Sequence, residues 1–402
     1  MFILTFLILA TAIIYVLLSV RTQRWHKDEM LGSFEHRIHV NGIRGKSSVT
    51  RLIAAALREA DIKTVAKTTG TAARVILEHD ADIVIKRKEA DIAEQKRILD
   101  IYKGTEYTAA VFECMAINPL YQRFLEEKVM QSTIGVITNV REDHTDLLGE
   151  TLPEIARSLS ATVPHNGHLV TAETDPELLG ILEEVCQKRG TQLHAVGNLR
   201  ISDSHMAKFK HFEYKANVAI ALKVAQLVNK IDRKTAMKGM HKALPDPGAF
   251  VLKQFDHKKK TVHWANLFAI NDRESFIYTV QSLCAKLTKS TKRVVILNNR
   301  HDRPERVAQF VDIAVNSVDA DYIITFGDYE KQVTKEVARH GKDVKVVKLG
   351  NSTNYRGADG QLLFDKMVES IDEKECVLFG AVNIHTPQSQ ELLKLLEGGY
   401  AH

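Results

Sequence analysis

The chain has 402 residues, 45% of them hydrophobic and 26% charged, with a net charge of +5. That balance supports packed cores and excludes a predominantly disordered chain or a protein made of many membrane spans. Lys and Arg are scattered and aromatics reach only 7%, so no basic stripe with stacking platforms is present and nucleic acid is not expected as a partner. The mild positive charge does suit an anionic membrane leaflet. Cys114, Cys186, Cys284 and Cys376 form no C-x-x-C pair, which argues against a zinc knuckle or disulfide framework and fits a reducing compartment.

Residues 1–20 carry no charge. Twenty helical residues span about 30 Å, the thickness of a bilayer core. No basic residue precedes the run and no small-residue cleavage site follows it, which weighs against a signal peptide. The segment predicts a single-pass anchor in the cell membrane. Arg21, Arg24 and Lys27 directly follow, so the remaining body is expected on the cytoplasmic side.

From His36 onward short apolar runs alternate with amphipathic stretches. Strands are expected at His36–Val40, Lys63–Thr68, Tyr107–Glu113, Ile134–Asn139, His168–Thr171 and Gln192–Val196. Helices are expected at Ser47–Ala60, Ala90–Tyr102 and Pro176–Arg189. Uninterrupted Val, Ile and Phe in the strands indicate a buried, mostly parallel sheet, hence an α/β fold. Leu244-Pro-Asp-Pro-Gly248 breaks the pattern and reads as a linker. Beyond it strands are expected at Thr261–Trp264, Val294–Asn298, Tyr322–Phe326, Val344–Val347 and Cys376–Phe379. The predicted organisation is an anchor at 1–20, a first α/β body at 31–244 and a smaller Rossmann-like α/β body at 249–402.

The strongest chemical signal lies where the first strand runs through Asn41-Gly42-Ile43-Arg44-Gly45-Lys46-Ser47-Ser48 into a helix. Glycines let backbone N–H groups close on phosphate oxygens, the helix N-terminus adds positive potential, and Lys46 supplies a mobile charge. Ser47 is placed to offer its hydroxyl to Mg²⁺. The first glycine of the usual G-x-x-x-x-G-K-[ST] pattern is Val40 here, leaving a compact G-x-x-G-K-S form.

Two further stretches suit a nucleotide–metal site. An apolar strand ends at Glu113, and carboxylates at the carboxyl ends of parallel strands face the ligand crevice. A second strand ends in Thr138-Asn-Val-Arg-Glu-Asp-His144-Thr-Asp146, rich in oxygen ligands that a hard cation takes. The loop Lys67-Thr-Thr69-Gly-Thr71-Ala-Ala-Arg74 could close the phosphate site or hold a substrate carboxylate through Arg74, with a capped turn as the plainer reading.

Together these motifs resemble the Mur ligase family, and within it the ligase subunit of poly-γ-glutamate synthases. The stretches that carry the likeness are Asn41–Arg51, Thr68–Arg74, Glu113–Pro119, Asn139–Gly149, Asp246–Ala249 and Asn383–His385. The resemblance implies a Mur-ligase-like ATP-binding domain followed by a C-terminal α/β ligase domain. It implies Lys46 on the β/γ-phosphates, and Ser47, Glu113 and His144 on Mg²⁺. Asn217 would contact adenine, and Arg300 and Asp302 would lie on a loop closing over ATP. It implies an ATP-dependent amide ligase that polymerises glutamate through its γ-carboxyl, with a growing poly-γ-glutamate chain and an integral-membrane partner subunit. The chain departs from the family in the stretch Arg157-Ser-Leu-Ser160, which lacks the lysine that many Mur ligases carbamylate for a second metal. Two rivals share parts of the pattern: a folylpolyglutamate-type ligase, and a membrane-tethered regulatory or transport ATPase. The apolar N-terminus weighs against the first, and Val40 with Glu113 against the second, which should carry the full loop and an Asp-ended strand.

Overall fold

The computed structural model describes residues 13, 28–29, 32–69, 73–77, 82–85, 92–209, 211–245, 252–268, 270, 273–350, 359–383 and 386–398. Among the described residues no helix is long and apolar enough to cross a membrane. The expected anchor at 1–20 lies, apart from Ile13, outside them, as do Thr71 and 246–248 of the expected linker. The chain divides into two compact units, Met1–Ala249 and Phe250–His402.

The first unit is built on an eight-stranded sheet in the order β4-β3-β2-β5-β1-β6-β7-β8. Its strands are β1 (His36–Asn41), β2 (Thr64–Thr68), β3 (Arg74–Ile76), β4 (Asp82–Val84), β5 (Ala109–Glu113), β6 (Ile134–Ile137), β7 (His168–Thr171) and β8 (Gln192–Ala195). Pairing is parallel except along the β2–β3–β4 edge, which is antiparallel. The central strands are buried on both faces. Ile38, Val40, Ala66 and Val111 pack on one side with Leu52, Ile53 and Val218, while Val65, Phe112 and Ala110 face Phe34, Leu125 and Val129 on the other. Continuous apolar runs are what such double burial requires.

The helix Lys46–Glu59 follows β1 and buries Val49, Leu52, Ile53 and Leu57. It packs against the helices Lys215–Leu227 and Arg233–Lys242. Gly239 allows the last contact, because a Cβ there would stand 2.3 Å from the Ala55 carbonyl oxygen.

The second unit carries a six-stranded sheet in the order β13-β12-β11-β14-β10-β9. These are β9 (Leu252–His257), β10 (Lys260–Asn266), β11 (Lys292–Asn299), β12 (Tyr322–Gly327), β13 (Lys345–Lys348) and β14 (Glu375–Ala381). Only β9 runs antiparallel. The expected strands all form, some longer or shorter by a residue or more at their ends, and β3, β4 and β9 add to them. The β9–β10 hairpin turns through Lys258 and Lys259, both left-handed (φ 49° and 64°). Such turns usually carry Asn or Gly, so this one leaves no compositional trace.

Candidate active site

β1 lies between β5 and β6, with Val40 opposite Glu113 and Asn41 opposite Ile137. This placement gathers the carboxyl ends of three parallel strands around the loop 42–45. Gly42 and Gly45 both adopt positive φ, 122° and 82°. A Cβ on Gly42 would stand 2.1 Å from the Thr138 Oγ1, and one on Gly45 would stand 2.7 Å from the Asn217 Oδ1. Both glycines are therefore required by conformation and by close approach.

Gly45 caps the helix Lys46–Glu59 without a side-chain hydrogen bond. The first-turn N–H groups of that helix belong to Lys46, Ser47 and Ser48, and they are the donors a helix leaves for an anion. The Lys46 ammonium folds back on its own loop, donating to the Gly42 carbonyl at 2.8 Å and the Ile43 carbonyl at 3.3 Å. It is thus held by weak neutral acceptors, which a phosphate can replace.

Ser47 and Glu113 meet directly. The Ser47 hydroxyl donates to the Glu113 Oε2 at 2.8 Å, and the Thr69 N–H donates to the same oxygen at 2.7 Å. Gln95 Nε2 donates to the Glu113 carbonyl at 2.7 Å and holds the end of β5. Glu113 is only 3% exposed. A hydroxyl and a carboxylate side by side at a phosphate loop form a hard oxygen donor set of the kind Mg²⁺ takes, so these residues fit the ion.

His144 stands differently. It is a left-handed residue (φ 48°) at the start of the short helix Thr145–Leu148, and its side chain is 49% exposed. Its Nε2 lies 3.9 Å from the Asp143 Oδ1. Among the described residues no three His, Cys, Asp or Glu side chains are grouped to hold a metal.

The loop after β6 serves the phosphate loop. The Thr138 hydroxyl donates to the Arg44 carbonyl at 2.7 Å. The Asn139 side chain grips Arg44 from both sides, accepting its N–H at 3.1 Å and donating to its carbonyl at 3.0 Å. The Ile43 N–H reaches the Asn139 carbonyl at 3.3 Å. In the sequence this stretch reads as metal-ligand material; in the structure Thr138 and Asn139 also fix the conformation of the loop.

Asn41 contributes no side chain to the loop. Its amide donates to Gln122 at 2.9 Å and Thr162 at 3.1 Å, a buried bridge between elements. Its carbonyl accepts the Thr138 N–H at 2.9 Å. The strand pleat turns that side chain into the fold and leaves the Asn41 backbone at the entry to the loop.

Asn217, 4% exposed, donates to the Glu213 Oε1 at 2.7 Å, which leaves its Oδ1 facing Gly45. Glu213, also buried, has no signal in the sequence that links it to the site. Arg74 lies in β3, with its guanidinium 3.7 Å from Asp82, a carboxylate that Arg51 also grips at 2.6 and 3.2 Å. Arg300 and Asp302 belong to the second unit, where they pair with each other at 2.8 Å. Burial opposes ionisation of Asp302, but the charge and hydrogen bond of Arg300, a backbone N–H and the nearby His301 together hold the carboxyl below its usual range.

Residues 40–244 match the model of the Mur ligase middle domain, and residues 252–399 match that of the poly-gamma-glutamate synthase CapB C-terminal domain. The chain belongs to the Mur ligase family, in its CapB branch. Capsule biosynthesis protein CapB of Bacillus anthracis is 35% identical over 383 residues, covering 94% of this chain and 80% of that protein. PGA synthase CapB of Bacillus subtilis strain 168 is 36% identical, covering 94% of each. Among solved structures, E. coli FolC in complex with DHPP and ADP aligns with a TM-score of 0.61 at 14% identity, over 92% of this chain and 90% of that one. The bifunctional folylpolyglutamate synthase/dihydrofolate synthase of Yersinia pestis with AMPPNP and Mn aligns at 0.60 and 14%, over 94% and 92%. At that identity the likeness shows a shared Mur-ligase-type fold and nothing finer.

Proposed function

We propose that this chain is an ATP-dependent amide ligase that joins glutamate through its γ-carboxyl to a growing poly-γ-glutamate chain. The observation that carries the reading is the Ser47–Glu113 contact at the mouth of a Gly-Lys-Ser loop, in a chain that aligns with CapB relatives over 94% of its length.

Joining a carboxylate to an amine in water is uphill. Phosphoryl transfer from ATP to the γ-carboxyl gives an acyl phosphate with a good leaving group, which the acceptor amine then displaces. Lys46 and the first-turn N–H groups would hold the phosphates and offset their charge as the phosphoryl moves. Ser47 and Glu113 would hold Mg²⁺, which supplies charge neutralisation at the transferring phosphoryl. His144 is proposed as a further metal-facing group and Asn217 as a nucleotide-facing one. Thr69, Thr71 and Arg74 are proposed on the substrate side, Arg300 and Asp302 on the nucleotide. Boundaries at 31–244 and 249–402 suit a nucleotide-binding body and a ligase body.

We further propose that residues 1–20 anchor the chain in the cell membrane beside an integral-membrane partner subunit. The support is the uncharged run and the basic residues after it. An anchor suits a polymer exported as it grows.

The test is release of ADP and phosphate by membranes holding the chain and its co-expressed neighbours, with polymer measured in parallel. Glutamate-dependent turnover that yields polymer and disappears in Lys46→Ala is expected. ATP hydrolysis indifferent to glutamate, with no polymer, would overturn the proposal.

A further inference from the structure

The helix Pro119–Phe124, continued without a break by the wider turn Leu125–Met130, is turned inside out. Its polar side chains Gln122 and Glu126 face the core and are buried. The Gln122 Oε1 accepts from Asn41 at 2.9 Å, and its Nε2 donates to the Ile117 carbonyl at 2.7 Å. Glu126 pairs with His39 at 2.8 Å and accepts both the Ser132 N–H and the Ser132 hydroxyl at 2.8 Å. These bonds fix the rotation of the helix. Leu120, Tyr121 and Phe124 then stand on the other face, exposed, Leu120 at 72%. Helical spacing joins them into one stripe, which Ile117, also exposed, extends. Exposed apolar residues scattered singly need no explanation, but a contiguous stripe opposite a polar seam does.

Two further observations say what covers it. The first is charge. Arg123 and Lys128 are exposed beside the stripe, whereas Glu126 is taken up by His39 and Glu127 lies 3.8 Å from Arg189. The second is where the chain enters. Glu29 pairs with Lys103 at 3.2 Å, the Ser33 hydroxyl accepts the Gly104 N–H at 3.2 Å, and Phe34 packs with Leu125 and Val129. Ile101, next to that entry, is a further exposed apolar side chain. The uncharged run 1–20 and the basic residues Arg21, Arg24 and Lys27 therefore lead into the surface that carries the stripe.

We propose that Leu120, Tyr121 and Phe124 dock into the interface of an anionic bilayer and lay the first unit against the membrane that residues 1–20 enter. The proposal rests on the anchor reading of residues 1–20 and names a second contact with the same membrane. A helix lying in that plane sinks its apolar side chains to the level of the acyl chains and leaves its basic ones among the headgroups. The long stems of Arg123 and Lys128 suit that border position. A small patch suffices, because the anchor holds it at high effective concentration near the surface. The stripe follows directly on the strand that ends at Glu113, so the contact holds that end of the sheet near the leaflet.

The experiment attaches a nitroxide to Leu120→Cys in the full chain, held in vesicles of phosphatidylcholine and phosphatidylglycerol. Oxygen, which concentrates in lipid, and a water-soluble nickel chelate are compared as relaxing agents. Leu199→Cys, exposed beyond the edge strand β8, is the control site, and the labelled parent chain gives the background of its own cysteines. The ratio of oxygen to nickel accessibility should be several-fold higher at 120 than at 199. Adding Tyr121→Ser and Phe124→Ser should bring it down to the value at 199, with an unchanged thermal midpoint. A label at 120 that nickel reaches as readily as at 199 overturns the proposal. So does a label that neither reagent reaches, since a protein surface then covers the stripe. An alkaline carbonate wash tests the anchor separately. A chain that washes off although its label lay in lipid overturns the anchor and keeps the docking surface. A chain that stays while its label lies in water does the reverse.

Discussion

The Ser47 hydroxyl donates a hydrogen bond to the Glu113 carboxylate at 2.8 Å, joining residues 66 positions apart in sequence. The pair exists because β1 lies next to β5, with Val40 opposite Glu113. Glu113→Gln keeps the shape and the acceptor for Ser47 and Thr69 but removes the charge. The Mg²⁺ concentration giving half-maximal glutamate-dependent ADP release should rise about 10–100-fold, with urea stability nearly unchanged. A Mg²⁺ titration of turnover checks this; an unaltered midpoint would remove Glu113 from the metal site.

Among the described residues Lys46 is held only by the carbonyls of its own loop. Lys46→Ala should therefore cost little stability, about 1 kcal/mol, while lowering turnover by about 100-fold or more. Chemical denaturation and steady-state rates on the same preparation separate the two effects. A large loss of stability would mean that the lysine is chiefly structural.

Gly42→Ala meets two obstacles. Its φ of 122° is hostile to a Cβ, and that atom would stand 2.1 Å from the Thr138 Oγ1 and 2.7 Å from the Thr138 backbone nitrogen. The cost should be about 1–3 kcal/mol, with a matching loss of ATP affinity. Truncating Thr138 to Ala in the same chain should not restore binding, since the backbone nitrogen remains. Rescue by that second change would show that the side-chain clash alone matters.

His39 and Glu126 form a fully buried pair at 2.8 Å, on the face of β1 opposite Val40. Burial lowers the basicity of His39, but Cys114 and Glu126 overcome it and raise its pKa from 6.5 to about 10. The folded state then binds more protons than the unfolded state between those values. The pair's stabilisation is fully present below pH 6.5 and is lost as pH rises through about 10. His39→Gln should cost about 3 kcal/mol at neutral pH or below, with the gap from the parent chain closing toward pH 10. Urea midpoints across pH 6 to 10.5 (roughly the window bracketing the shift) check this; a constant gap would contradict it.

Much of the candidate site's strand–loop–helix geometry was legible because it is local. Gly42, Gly45, Lys46 and Ser47 fall within one turn between an apolar strand and an amphipathic helix, so spacing alone marks a phosphate loop. Glu113 stood out as the acid ending a buried strand. Asn139 and Asp143 did not stand out in these roles, because each acts through Arg44, far along the chain; Glu213 acts through Asn217, only four residues on, which itself meets Gly45 only in the fold. The Asn139 contacts with Arg44 span 95 positions. The short strands β3 and β4 escaped notice because three residues carry no readable period.

By itself the sequence determined an α/β protein, the position of its Gly-Lys-Ser loop and the acid at the end of β5. Apolar runs and Gly-Lys-Ser spacing are properties of contiguous residues, and the chain carries them in any conformation. Only the tertiary structure decided that β1 lies between β5 and β6, that Asn41 turns into the fold, and that Arg44 reaches Asp143. Those outcomes depend on which strands become neighbours and in what register, and periodicity along one strand is the same whichever neighbour it finds.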